Sequence, residues 1–232
     1  MPRRQRRGTG GIVFHVINRS ARRARLFDDD SDYRALLECF AEAHRRVRVG
    51  VFAYCLMPNH FHLIVRPDED GQLSEFMRLG TGSHSVRWHW KRGTQGGGCV
   101  YQGRYRAFPI QANRYFLNAC GYVEANALRA SMVRRAEDWA WSSLWASTRN
   151  CHILPLSEWP ILQPSDWIER VNQRHSDDDL NAIHRSLSHN HPLGEPDWAK
   201  AVAASLGLST RPPGRPKRES KVETEKRGRE LF

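Results

Sequence analysis

The amino-acid sequence predicts an α+β fold in which helices pack on an antiparallel sheet. Segments rich in β-branched and aromatic residues alternate with longer segments whose apolar residues recur at helical spacing. In chain order these segments are a strand, a helix, two strands, a helix, a strand and a helix, and this order favours the predicted architecture. With 232 residues, of which 40% are hydrophobic, the chain is long enough for one domain plus an appendage.

The first half of the fold is predicted from four segments. The β-branched and aromatic residues over 11–18 indicate a strand. An acidic stretch that is typical of a helix N-cap follows, and the apolar spacing over 33–46 predicts a helix. Residues 51–56 and 60–65 then predict two strands, which are separated by a turn that contains Pro58.

The second half begins with a helix over 73–91, which is predicted despite its internal glycines. Residues 99–102 and 104–110 indicate a strand or a bent pair of strands, and 113–130 predict a second strong helix. From about residue 139 tryptophans are interspersed with prolines, which indicates an irregular segment wrapped on the core.

The C-terminal part of the chain has a different character. Two short helices are predicted over 177–189 and 196–206, and after Gly207 the sequence has almost no apolar residues, which predicts disorder. We therefore divide the chain into a basic flexible arm, a core domain, a helical extension and a disordered basic tail, with bounds 1–10, 11–150, 151–210 and 211–232.

The charge balance points to a polyanionic partner. The formal net charge is +11 at pH 7, which favours nucleic acid first, an anionic membrane surface second, and a merely solvated basic surface as the alternative. No segment approaches the roughly 20 apolar residues of a membrane span, and no apolar stretch follows the basic N-terminus as in a secretory signal. The five cysteines are scattered without a Cys-x-x-Cys pair, so a reducing cytoplasm is the expected compartment.

A His-x-His pattern lies on one predicted strand. Because side chains alternate along a strand, His60 and His62 point to one face while Phe61 points into the core. Two adjacent neutral imidazoles are suited to a divalent metal, although two polar residues on a sheet face explain the pattern equally well. His15 alternates within the first strand and can face the same side, whereas His184 is predicted to be a surface residue.

The predicted helix over 113–130 carries two tyrosines. Tyr122 and Asn126 are four residues apart and share a face, and Tyr115 lies near the same face. A tyrosine can serve as a covalent nucleophile, and an amide oxygen can complete a metal site. The alternative is that both tyrosines are amphipathic core residues with their hydroxyls at the rim.

Together these segments resemble the single-tyrosine HUH transposases, and most closely the REP-associated tyrosine transposases. The resemblance depends on MPNHFHLIV, on YQGRY and on YVEANALRA, and it covers about residues 10–150 well. The name HUH stands for His, bulky hydrophobic, His, which here is His60-Phe61-His62. The family commonly reads Tyr-Ile-Glu-x-Asn-Pro-Val-Arg-Ala on the nucleophile helix, and this chain departs from it at Ala127 and Leu128 without losing a reacting group.

The resemblance implies a ferredoxin-like or RRM-like core and a set of functional residues. It implies that His60 and His62 bind a divalent metal, Mg²⁺ or Mn²⁺, that Asn126 completes the site, and that Tyr122 attacks the DNA phosphorus. The implied product is a 5′-phosphotyrosine with a free 3′-OH. The implied partner is single-stranded or hairpin DNA with REP-like palindromes, bound by a monomer or homodimer in the bacterial cytoplasm near the nucleoid.

The basic flanking segments fit contacts with DNA phosphates. The arginines of the N-terminal arm would add a salt-dependent affinity, and the Gly-Arg-Pro stretch at 214–216 resembles the core of an AT-hook. A plain basic tail explains that stretch equally well. The predicted DNA-binding residues are Arg3, Arg4, Arg6, Arg7, Arg104, Arg106, Arg215 and Lys217.

Two other functions remain open at this point. The first is a DNA-binding protein that keeps the fold but has little or no turnover, such as a regulator of palindromic repeats. The second is an unrelated metal hydrolase with a His-x-His strand, whose activity would survive the loss of Tyr122.

Overall fold

A computed structural model describes residues 8–173, 176–189 and 191–208 of the chain. In this part the strands are β1 (Val13–Arg19), β2 (Val49–Met57), β3 (His60–Pro67) and β4 (Arg106–Ile110). The helices are α1 (Asp30–Arg46), α2 (Gln72–Arg92), α3 (Arg114–Glu124), α4 (Asn126–Arg129), α5 (Ser143–Thr148), α6 (Trp167–Asn172), α7 (Asp177–His189) and α8 (Pro196–Ser205). Short 3₁₀ turns lie at Ala21–Arg23 and Ala136–Asp138.

The four strands form one antiparallel sheet in the order β2-β3-β1-β4. The tight turn through Pro58 and Asn59 joins β2 to β3, so these two neighbours pair along almost their whole length. The predicted α+β fold with helices on an antiparallel sheet is therefore confirmed.

Strand alternation divides the core into two layers. On one face of the sheet, α1 and α2 cover residues such as Phe14, Phe61 and Leu63. On the other face, α3 covers residues such as Val13 and Ile64. The register of β2 against β3 shifts between Val51 and Ala53, and this bulge reverses the alternation of β2 in the middle of the strand.

The structure corrects two of the predicted elements. The segment 99–102 does not form a strand. Its β pairing within the described residues is limited to a single bridge between Ser20 and Tyr101. The predicted helix over 113–130 is divided into α3 and α4 at Ala125, whose φ and ψ of −79° and 3° depart from helical values.

The chain beyond residue 139 is irregular with short helices, as the sequence predicts. Its tryptophans pack on both core layers, and α7 and α8 form close to their predicted bounds. Most of the predicted basic arm and the whole of the predicted basic tail lie outside the described residues. None of the helices in the described part is long and apolar enough to cross a bilayer.

Candidate active site

The His-x-His pattern occupies the sheet face that α3 covers. His60 and His62 project from β3 with their ring centroids 5.0 Å apart, while Phe61 between them lies in the opposite core layer. On the neighbouring strand β1, Arg19 pairs with His60, and residues that pair directly across two strands share a face. The two imidazoles and the Arg19 side chain therefore belong to one polar patch.

Each of the two histidine rings has a hydrogen-bond partner at its own Nδ1. The Nδ1 of His60 lies 2.6 Å from the Oδ1 of Asn59, and the Nδ1 of His62 lies 2.8 Å from the Nε2 of His15. Neither Nε2 of the His60–His62 pair forms a hydrogen bond with the residues that the structure describes. Each Nε2 is thus available as a ligand atom, and its ring is oriented by a partner at the other nitrogen.

The histidines of this cluster are neutral near pH 7. Burial lowers the pKa of His15 to about 3, and burial together with the charge of Arg19 lowers the pKa of His60 to about 4. The pKa of His62 is also well below its usual value, because the side chain is buried and lies near His15, His60, Arg129 and Arg19. A neutral imidazole is the form that binds a metal ion.

The helix α3 places Tyr122 against these histidines. The side chain of Asn113 caps the helix by accepting a hydrogen bond from the Tyr115 amide, 3.0 Å away. The next turns bury an apolar face at helical spacing, formed by Phe116, Ala119, Cys120 and Val123, against the sheet. As a result the residue Tyr122 is 6% exposed, and its ring centroid lies 6.2 Å from that of His15 and 6.3 Å from that of His62.

The second tyrosine of α3 has a different environment. The Tyr115 hydroxyl accepts a hydrogen bond of 3.0 Å from Arg114, whose guanidinium carbon lies 4.7 Å from the ring centroid. The Tyr122 hydroxyl forms no hydrogen bond with any described residue. Of the two tyrosines, Tyr122 has the ring contacts with the histidine cluster.

Asn126 lies just beyond the break between α3 and α4. Its side-chain Nδ2 is buried without a hydrogen-bond partner in the described structure. Rotation of the amide about its terminal bond exchanges nitrogen and oxygen, so this position can present a carbonyl oxygen. Such an oxygen and two imidazole nitrogens form a donor set that suits a divalent cation.

No group of three His, Cys, Asp or Glu side chains within the described ranges is arranged to hold a metal ion. A carboxylate or a thiolate therefore does not complete the histidine pair there. The described side chains here whose chemistry suits a cation are those of His60, His62 and Asn126.

Two further residues lie against Tyr122. The guanidinium carbon of Arg129 on α4 is 4.0 Å from the centroid of the Tyr122 ring, and the ring of His184 on α7 is 6.0 Å from it. The helix α7 is held there by a 2.6 Å hydrogen bond from Asn118 to Asp179 and by a bond from Arg106 to the Leu187 carbonyl.

The predicted DNA-binding arginines have mixed locations. Arg104 is exposed in the loop before β4, whereas Arg106 contacts α7 and stacks over Phe108 at 4.9 Å. The other predicted DNA contacts, Arg3, Arg4, Arg6, Arg7, Arg215 and Lys217, lie outside the described residues.

Sequence reasoning did not assign three of the residues that surround the site. Alternation within β1 places His15 on the correct face, but nothing in the sequence indicates its bond to His62. Arg129 belongs to the YVEANALRA segment, and its stacking on Tyr122 depends on the geometry of α4. His184 was predicted as a surface residue; it is exposed, yet it contacts Tyr122.

The HUH class of proteins is defined by an α+β fold with an antiparallel sheet, in which a His-x-His strand lies beside a helix-borne tyrosine. In agreement with this class, residues 9–126 match the family model described as "Transposase IS200 like". The match covers about half of the chain, and the protein belongs to the IS200-like transposase family.

One solved structure shows the same fold, and a second has a weaker similarity to this chain. A REP-associated tyrosine transposase bound to a REP hairpin is similar with a TM-score of 0.50 and 20% sequence identity, over 70% of this chain and 94% of that chain. A crystal structure of a Deinococcus radiodurans R1 protein is similar with a TM-score of 0.37 and 15% identity, over 65% of this chain and 98% of that one. The search of curated proteins gives no match.

Proposed function

We propose that this protein is a single-stranded DNA endonuclease and strand transferase that cleaves at or near hairpins of palindromic repeats. The observation that carries the proposal is the position of Tyr122, whose ring lies 6.3 Å from that of His62. A phenol has a pKa of about 10 in water, so its attack on a phosphate needs charge stabilisation at the phosphate. The neutral histidines beside Tyr122 suit the cation that would supply this stabilisation.

The residues proposed to hold the cation are His60, His62 and Asn126, and Mg²⁺ or Mn²⁺ is the expected ion. When bound, such an ion polarises the scissile phosphate and draws charge off its oxygens. The protein contributes rings whose Nδ1 atoms have partners and whose Nε2 atoms form no hydrogen bond with the described residues. These contacts orient the ligand atoms before the DNA arrives.

The proposed reaction is a transesterification. The Tyr122 oxygen forms a bond to phosphorus and its proton passes to water, while the bond from phosphorus to the 3′ oxygen breaks. The leaving oxygen takes up a proton and becomes a free 3′-OH, and the DNA remains attached through a 5′-phosphotyrosine. Attack of a 3′-OH on this linkage restores a phosphodiester and frees the tyrosine, so strands can be rejoined without ATP.

Two observations support hairpin DNA as the partner. The formal net charge of +11 favours a polyanion, and the similar REP-associated transposase was solved with a REP hairpin bound. Arg104, exposed in the loop before β4, is proposed to contact the DNA backbone.

The burial of Tyr122 favours a second candidate function. With only 6% of the residue exposed and with Arg129 and His184 against its ring, access of a DNA phosphate to the hydroxyl requires local movement. A protein in which that movement does not occur would bind palindromic DNA without cutting it.

Covalent trapping distinguishes these functions. The protein is incubated with labelled hairpin DNA and Mn²⁺, and a denaturant-stable protein–DNA adduct is expected. Tyr122→Phe should lose the adduct, whereas the matched Tyr115→Phe on the same helix should retain it. An adduct mapped to Tyr115 would show that the nucleophile is wrongly assigned. Binding without an adduct would favour the second candidate, and cleavage that survives in Tyr122→Phe would favour a metal hydrolase.

A further inference from the structure

The side chain of Arg129 lies beside Tyr122 but has no role in the reaction proposed above. Its guanidinium carbon lies 4.0 Å from the centroid of the Tyr122 ring, within the range of a cation–π contact. The residue is exposed, and no carboxylate within the described ranges forms an ion pair with it. The positive charge beside the tyrosine is therefore not neutralised by the described protein.

Among the other arginines that stack on rings in the described residues, Arg66 and Arg149 also lack an ion pair, whereas the arginine on the second tyrosine of α3 is neutralised. Arg114 stacks on Tyr115 and also pairs with Glu195 at 3.1 Å. Arg92 stacks on Trp88 and also pairs with two aspartates of the α1 region. Arg129 stacks on the candidate nucleophile Tyr122, and its N–H donors form no hydrogen bond with the described residues.

A guanidinium has five N–H donors in a planar fork, and this geometry matches the oxygens of a phosphate. The charge of Arg129 also acts on His62, whose pKa it helps to lower, so the guanidinium lies near this histidine as well as near the tyrosine. An anion bound by this fork would lie beside the Tyr122 ring and within electrostatic range of His62.

We propose that Arg129 binds the scissile phosphate of the DNA and holds the Tyr122 ring in position for attack. This inference rests on the proposed function and adds a residue to its machinery. Negative charge builds on the phosphate oxygens as the tyrosine oxygen approaches, and a fixed cation at that point stabilises the transition state more than the ground state. The stacked guanidinium also limits rotation of the ring, which keeps the hydroxyl directed at one place.

The first test compares Arg129→Ala, Arg129→Lys and Arg114→Ala in single-turnover adduct formation with saturating hairpin DNA and Mn²⁺. Arg129→Ala should slow adduct formation by about 10²- to 10³-fold, the usual loss for one transition-state donor. Arg129→Lys keeps the charge but loses the planar fork, so its rate should lie between those of Arg129→Ala and the unsubstituted protein. Arg114→Ala, which removes a stacked but ion-paired arginine, should react at the normal rate.

Equilibrium binding separates this role from general DNA affinity. Measured in a Tyr122→Phe background, the dissociation constant for the hairpin should change far less than the rate of adduct formation when Arg129 is replaced by Ala. Thermal unfolding should change little, because the side chain is exposed and only one aromatic contact is lost. A normal rate in Arg129→Ala would overturn the proposal, and a fully normal rate in Arg129→Lys would overturn the positioning role.

A second readout does not depend on cleavage. In arginine-selective NMR spectra of the Tyr122→Phe protein, the Nε–H signal of Arg129 should shift when hairpin DNA is added, whereas the signal of Arg114 should stay in place. If the unsubstituted protein forms no adduct but the Arg129 signal shifts, the proposed function fails and the phosphate contact stands. If the adduct forms and the signal does not move, the phosphate contact fails alone.

Discussion

The Nε2 of His15 lies 2.8 Å from the Nδ1 of His62, and the two residues are 2% and 4% exposed. One of these two nitrogens must carry the hydrogen. If the Nδ1 of His62 donates, the Nε2 of His62 has a free lone pair that can bind a cation. If the Nε2 of His15 donates instead, the Nε2 of a neutral His62 carries the other hydrogen and cannot bind one. Metal binding by His62 therefore requires His15 to act as the acceptor.

This relationship predicts that His15 controls metal affinity without being a ligand. His15→Phe keeps a planar ring in the core but removes the acceptor, so the Mn²⁺ affinity should fall by about 10- to 100-fold. Calorimetric titration with Mn²⁺ measures the change. The control is His84→Phe, which replaces a histidine that is 1% exposed and pairs with Tyr101 rather than with the site. Equal Mn²⁺ affinity in the two variants would show that His15 does not orient His62.

The histidine pair itself should be needed for chemistry more than for DNA binding. His60→Ala and His62→Ala are each expected to abolish cleavage and leave hairpin affinity largely intact, since both imidazoles face the proposed cation. The measurement is adduct formation beside a binding assay, in chelator-treated buffer resupplied with Mn²⁺. Full cleavage by either variant under these conditions would remove that histidine from the metal site.

The sheet and the histidine face could be predicted because they depend on local alternation. His60 and His62 share a face for the same reason that Phe61 between them is buried in the other layer. The bulge in β2 between Val51 and Ala53 could not be predicted, because it depends on how β2 pairs with β3.

The rest of the site depends on tertiary packing that the sequence does not display. Ala125 and Ala127 are good helix formers, so the spacing predicts one continuous helix where packing divides it into α3 and α4. That division determines where Asn126 and Arg129 lie. The contact of His184 with Tyr122 joins residues that are far apart in the sequence, and no local pattern reveals it.

The contact between α1 and α2 predicts opposite effects at two nearby glycines. A Cβ at the buried Gly80 would overlap the Phe40 ring, whereas a Cβ at the exposed Gly82 meets nothing within 4 Å. Gly80→Ala should lower the free energy of unfolding by about 1–3 kcal/mol through overpacking. Gly82→Ala should raise it by about 0.5–1 kcal/mol, because alanine favours the helix. Urea unfolding measures both, and equal effects would mean that Phe40 moves aside freely.

The carboxyl group of Glu124 joins the end of α3 to two later segments. It lies 2.5 Å from the Ser143 hydroxyl and accepts a 2.7 Å hydrogen bond from the Trp167 indole. Burial raises the pKa of Glu124 to about 7, against the smaller lowering by these two partners. A protonated Glu124 can donate to Ser143, whose hydroxyl can then donate to the Tyr54 carbonyl 3.3 Å away, so the network is satisfied when Glu124 is neutral.

This raised pKa makes folding stability depend on pH in a defined direction. An unfolded glutamate has a pKa of about 4.3, whereas the pKa of Glu124 in the folded protein is about 7. At a pH between these two values, Glu124 has lost its proton in the unfolded chain and keeps it in the folded protein. The Glu124 contribution to stability is therefore fully present below about pH 4 and is lost as the pH rises through 7. Glu124→Gln keeps a neutral side chain that can accept from Trp167 and donate to Ser143, so it should remove this loss.

The test compares the unsubstituted protein with Glu124→Gln at pH 5 and at pH 8. The difference between the two proteins isolates Glu124, because the buried histidines titrate equally in both. From pH 5 to pH 8 the unsubstituted protein should lose up to about 3 kcal/mol of unfolding free energy relative to Glu124→Gln, as follows from about 1.4 kcal/mol for each unit of pKa shift. Urea unfolding at both pH values gives the four free energies required. If the two proteins change in parallel between pH 5 and pH 8, then Glu124 is ionised in the folded protein and the network with Ser143 and Trp167 holds a carboxylate instead.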